Sequence, residues 1–119
     1  MEHEHRLRTL AERENGYVGY CAGCRSYNIA YKNSLFILQE QEYWCYRQVL
    51  TDRIGMRSFF TSHGKEWLLN TPMANYYILL NDAEIEEISQ MMDEASVLIE
   101  VGQILGASAE TSSHPDDIL

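Results

Sequence analysis

The sequence predicts an α+β domain in which two ββα repeats form a four-stranded, mainly antiparallel sheet with two helices on one face. Three observations lead there. First, a shift of 42 positions lays residues 25–50 over residues 67–92. Asn28 then falls on Asn70, Asn33 on Asn75, Leu38 on Leu80, Glu42 on Glu84 and Gln48 on Gln90. Second, apolar residues pair at the same offset: Phe36 with Ile78, Ile37 with Leu79, Tyr43 with Ile85, Tyr46 with Ile88, Val49 with Met91 and Leu50 with Met92. Third, both copies read strand, turn, strand, helix. One ββα unit is too small to bury its own apolar face, so the two must share a core.

The elements follow in order. Residues 1–16 read as an N-terminal arm whose charged stretch 5–14 forms a short helix or frays. A single ββα-ββα domain spans 17–106, and Gly16–Cys21 leads into it. Ser26–Tyr31 is the first strand, rich in aromatic and β-branched residues. Lys32-Asn33 is a two-residue turn, since Asn tolerates positive φ. Ser34–Gln39 returns. Glu40–Arg53 is a helix with acids in its first turn, where they oppose the macrodipole, and Gly55 ends it. Tyr43, Tyr46, Val49 and Leu50 share one helical face. Residues 55–64 are a connector. Glu66–Thr71 and Asn75–Leu80 form the second strand pair around Pro72. Asn81-Asp82-Ala83-Glu84 has the form of a capping box. The helix it opens carries Ile85, Ile88, Met91, Met92, Ala95, Leu98, Ile99 and Gly102 on one stripe and runs to about residue 105. The tail 107–119 is expected to be disordered.

Composition excludes some functions. The 119 residues suit one domain with its own core. The net charge of −9 is unevenly spread. Residues 1–65 hold all 9 Lys and Arg against 7 Asp and Glu, whereas residues 66–119 hold 11 acids and no base. Such a C-terminal half repels phosphate, which argues against nucleic acid. It reads either as a solvated acidic helix face or as a docking surface for a basic protein partner. No apolar run reaches the length of a membrane span. The polar start Met1-Glu2-His3-Glu4-His5 does not read as a secretory signal, and an odd number of cysteines argues against a disulfide framework, so a cytoplasmic protein is expected.

Strand alternation puts Tyr27, Ile29, Phe36, Leu38, Leu69, Ile78 and Leu80 against the helices. The opposite face, with Leu35, Ile37, Tyr77 and Leu79, is also apolar, although a one-sided sheet should be polar there. The N-terminal segment, the end of the second helix or another subunit should cover it. That helix end itself carries surplus apolar residues at Val97, Val101 and Ile104. Together these surfaces predict a homodimer that acts as a non-catalytic, protein-binding or regulatory module.

Cys21-Ala22-Gly23-Cys24 is the one local motif with chemical content. Two thiolates at this spacing can hold one zinc ion, and Cys45 and His63 are candidates to complete the ligand set; two subunits could instead each donate a pair. A dithiol redox site is the other chemical reading, but it wants the motif opening a helix. Inert core thiols are the third. His3 and His5 could chelate a metal weakly, or simply be solvated. No nucleophile–base–orienter set and no glycine-rich phosphate loop is present. Trp44 falls off the apolar stripe, either as a contact residue or packed near Phe59 and Phe60.

Several of these short stretches, taken together, resemble a family of small Bacteroidetes proteins of unknown function. They are Cys21–Cys24 with Tyr27, Asn28–Tyr31, Asn33 before Leu35–Leu38, Thr71-Pro72, Leu79-Leu80 with Glu84, and Ala95–Glu100. The resemblance covers roughly residues 17–105 and implies a bacterial cytoplasmic setting without an activity. Gln39-Glu40-Gln41-Glu42 departs from the Thr-capped acidic turn usual there.

Overall fold

The structure is a computed structural model that describes residues 7–108, with the side chains of the last helix described as far as Gly102. The elements are β1 (Leu7–Arg13), β2 (Gly16–Cys21), β3 (Ser26–Tyr31), β4 (Ser34–Gln39), α1 (Glu40–Asp52), β5 (Arg57–Thr61), β6 (Gly64–Asn70), β7 (Tyr77–Leu80) and α2 (Asp82–Ser108). The mixed α+β class with two helices and a four-stranded antiparallel sheet is as expected. The composition of that sheet is not. β1-β2-β3-β4 form it as a meander from the N-terminal third of the chain, and β5-β6-β7 form a separate three-stranded sheet. The strands of the two expected ββα copies therefore do not join into one hydrogen-bonded sheet.

Two stretches differ from expectation. Residues 7–13, expected as helix or frayed arm, are β1, paired antiparallel to β2 with a bulge between Thr9 and Ala11. The connector contains β5, whose hairpin to β6 pairs Thr61 with Gly64. The expected tail disorder falls at 109–119, outside the described residues, apart from Ala107 and Ser108, which lie in α2.

Local chemistry explains several element ends. The Lys32-Asn33 turn forms, but Lys32 rather than Asn33 takes the positive φ of 52°. Its amide donates to the Asn15 carbonyl at 2.7 Å, which ties the β3–β4 turn to the β1–β2 turn. Arg53 closes α1 in a left-handed conformation. At the start of α2 the capping box is complete: Glu84 N–H donates to Asn81 Oδ1 and Asn81 N–H donates to Glu84 Oε1, both at 2.8 Å. Gln39 at the start of α1 makes a similar cap, its N–H donating to Glu42 Oε1 at 2.8 Å.

Both helices pack on the inner face of the sheets and share one core. Val18, Tyr27, Ile29, Leu38, Leu69 and Leu80 from the strands meet Tyr43, Leu50, Ile85, Met91 and Met92 from the helices. Tyr27 and Tyr43 stack with ring centroids 3.8 Å apart. Leu98, expected on the core stripe of α2, is 40% exposed. Four acids of α2 pair with bases from the first half: Glu94 with Arg13 at 2.9 Å, Asp93 with Arg47 at 2.8 Å, Asp82 with Arg53 at 3.6 Å, and Glu84 with Lys32. The uneven charge along the chain is thus partly matched within the fold.

Candidate functional site

The outward side of β4 and β7 carries the first candidate surface. The pleat that turns Phe36 and Leu38 inward turns Leu35 and Ile37 outward. In β7 Ile78 and Leu80 face in, and Tyr77 and Leu79 face out. Leu35 is 54% and Ile37 62% exposed; Tyr77 and Leu79 are exposed as well. The sequence expectation offered three covers for this face. The N-terminal segment instead supplies β1, which pairs with β2 at the far edge of the same sheet. α2 packs on the inner side, against β1, β2, β6, β7 and α1.

β4 and β7 are each the last strand of their sheet, and both border the same groove. Along it run Ser34–Leu38 on one side and Thr71, Pro72, Met73, Tyr76 and Ile78 on the other. The loop wall is braced by the Thr71 hydroxyl, which donates to the Tyr76 carbonyl at 2.7 Å, and by Asn75 at a positive φ of 63°. Deeper in, an apolar cleft of about 90 Å³ lies between the sheets, lined by Ile29, Phe36, Tyr46, Leu69, Ile78 and Ile88. Lys32 and Glu84 line it too and pair with each other.

A second surplus apolar surface lies on α2, where Val97, Leu98 and Val101 are exposed. Ile104 belongs to the same helix, but its side chain lies outside the described residues. Trp44 packs edge-on against Tyr43 at 5.6 Å and under the Arg47 guanidinium at 5.2 Å.

The cysteine motif forms the turn between β2 and β3. Cys21 ends β2 opposite Ser26, so Ala22–Arg25 make a four-residue turn. Arg25 takes a positive φ of 56°, and its N–H donates to the Cys21 carbonyl at 2.7 Å. The Cys24 N–H points at Cys21 Sγ at 3.4 Å. Cys21 is buried and Cys24 half-buried. A hydrogen bond with the Cys21 thiol, then desolvation, raises the Cys24 pKa above its ordinary value. The motif lies in a turn between two strands and not at a helix start, where a redox-active dithiol gains its depressed thiol pKa.

The ligand set Cys21, Cys24, Cys45 and His63 is not assembled. Among the described residues no group of three or more His, Cys, Asp or Glu is placed to hold a metal ion. Cys45 lies exposed on α1, lining a hollow with Val49, Ile54 and Met56. His63 sits in the β5–β6 turn, its N–H donating to the Thr61 hydroxyl at 3.0 Å. His63 thus belongs to the three-stranded sheet, and the cysteine turn to the four-stranded one. Among the described residues no helix is long and apolar enough to cross a membrane.

Residues 1–105 match the model of a protein family whose description is "family of unknown function (DUF6686)". No curated protein and no solved structure matches the chain.

Proposed function

The chain belongs to the family of unknown function DUF6686, and we propose that it is a non-catalytic binding module that works as a homodimer through the outward face of β4 and β7. One observation carries this reading. Leu35, Ile37, Tyr77 and Leu79 form an apolar face beside two terminal strands, and β1 and α2, which could have covered it, pack elsewhere. Exposed apolar area on this scale favours association, at roughly 25 cal/mol per Å² removed from water. A second copy is the natural occupant, because a two-fold contact needs only one self-complementary patch and antiparallel strand edges pair symmetrically. The exposed Val97, Leu98 and Val101 on α2 offer a further patch for the same assembly or for the regulated partner. A basic partner is the less supported choice, since several α2 acids already have bases of this chain beside them.

Light scattering on the full chain tests the reading. A dimer that Leu35→Glu/Ile37→Glu converts to a folded monomer supports it. A wild-type monomer at tens of micromolar sinks it.

A second reading, metal binding, is favoured by one feature only: the Cys21–Cys24 turn, with its N–H···S contact and adjacent thiols.

A further inference from the structure

The edge of β4 can accept one more strand, and the register of its hairpin shows which groups are open. Tyr31 and Ser34 close the Lys32-Asn33 turn as Cα partners. A two-residue turn makes its closing pair the hydrogen-bonded kind, in which the residues exchange both N–H···O bonds. Bonded and non-bonded pairs then alternate along the ladder. Phe36 and Leu38 therefore bond to β3, while the N–H and C=O of Leu35 and Ile37 point away from it. Among the described residues no strand pairs with that edge. The consecutive run Asn33–Leu38 lines the groove, so the edge of β4, backbone included, faces its space of about 470 Å³.

The apolar cleft between the sheets opens from the same groove. Ser34, Phe36, Tyr46 and Ile78 line both. Tyr46 is held in place, its hydroxyl donating to the Asn70 carbonyl at 2.9 Å and its ring meeting Phe36 edge-on at 5.5 Å. The cleft's volume of about 90 Å³ is room for about three groups the size of a water, at about 30 Å³ each, and falls short of the roughly 150 Å³ that takes a benzene ring. The side chain of Val, Leu or Ile has about that size. The charges along these walls are already answered. Lys32 pairs with Glu84, whose other oxygen accepts from the Asn81 amide, and Glu42 accepts from the Gln39 amide. A charged side chain would enter apolar surroundings with no counter-charge.

We propose that the groove binds an extended, uncharged peptide segment of another protein, which adds a strand to β4 and places one Val, Leu or Ile side chain in the cleft. Backbone pairing to Leu35 and Ile37 supplies affinity, and the cleft supplies selection. This names a partner for the binding module and rests on that part of the proposed function, not on the homodimer. The side chains of Leu35 and Ile37 turn to the outward face, whereas their backbone groups line the groove.

Blocked peptides of the form acetyl-Thr-Ala-Xaa-Ala-Thr-amide, titrated into the ¹⁵N-labelled full chain, test this. With Leu at the centre, the amide signals of Leu35 and Ile37 should move downfield and those of Phe36 and Leu38 should move less. The Ala peptide should bind at least about tenfold more weakly, since each buried methylene is worth a factor of about four. The Asp peptide should not bind. Ile78→Phe, which fills the cleft, should bring the Leu peptide down to the affinity of the Ala peptide, and the wild-type series decides alone if that variant unfolds. The proposal is overturned if no peptide shifts the Leu35 and Ile37 amides, or if the Leu, Ala and Asp peptides bind equally. Light scattering of the peptide-free chain is a separate measurement, so failure of the dimer and failure of the peptide site are distinguishable.

Discussion

The Tyr43 hydroxyl on α1 donates a hydrogen bond to the Met92 carbonyl on α2 at 2.8 Å, while its ring stacks on Tyr27 of β3. One side chain thus joins both helices to the four-stranded sheet. Tyr43→Phe keeps the stack and loses the bond, and Ser96 still donates to the same carbonyl at 2.7 Å. We expect a loss of about 1 kcal/mol. Tyr43→Ala should cost about 3–5 kcal/mol, because it also opens a cavity. Urea unfolding of the two variants measures the difference.

Gly16 is fixed by a close approach. A Cβ there would lie 2.0 Å from the Ala30 carbonyl oxygen, which is backbone and cannot swing away. At Gly19 the nearest atoms are in the Leu7 side chain at 3.0 Å. Gly16→Ala should therefore destabilise by about 3 kcal/mol and Gly19→Ala by about 1 kcal/mol. Thermal melts of both variants test the order, and equal losses would contradict it.

Stability should fall at both ends of the pH scale. Hydrogen bonds from Tyr31, then Asn15, hold the Glu87 carboxyl below its usual value, and Arg13 does so for Glu94. A depressed acid contributes stability above its unfolded value, near 4.5 here, and that contribution is lost as pH falls through the folded value. Burial pushes the Tyr43 phenol up to about 12 and raises Tyr27 and Tyr31 as well. A raised tyrosine contributes stability that is complete below 10.0, its ordinary value, and lost as pH rises through the folded value. Urea midpoints should be flat between these limits and decline outside them. Tyr31→Phe should reduce the acid-side slope.

The Arg13–Glu94 pair joins the first strand to the last helix, but both groups face solvent. Exposed pairs of this kind contribute little and weaken with salt. Glu94→Gln should lower the urea midpoint slightly at low salt and leave it unchanged in molar salt.

How much of this was legible depended on local signals. β3, β4 and α1 were readable because alternation, an Asn-containing turn and first-turn acids agree there. The α2 cap was readable because Asn81 and Glu84 stand at capping-box spacing. β1 was missed because Arg8, Glu12 and Arg13 make it look like a charged arm, although Asn15-Gly16 is a hairpin signal that could have revealed it. β5 was missed because Phe59 and Phe60 stay exposed, so no alternation marks the strand. The split into two sheets had no local signal, since nothing in β4 or β7 states that their edges remain unpaired with each other. At the candidate site, the outward exposure of Leu35, Ile37, Tyr77 and Leu79 followed from the pleat. Cys45 on α1 and His63 in the β5–β6 turn belong to elements other than the cysteine turn, and no local signal marked β5.

We propose that the outward face of β4 and β7 joins two copies of the chain. Multi-angle light scattering of the full chain, run over a dilution series, tests it most directly, because a dimer's mass depends on concentration. We expect a mass near twice the 13.8 kDa of one chain, falling to one chain in Leu35→Glu/Ile37→Glu with the circular dichroism spectrum unchanged. A constant mass of one chain at every concentration would contradict it.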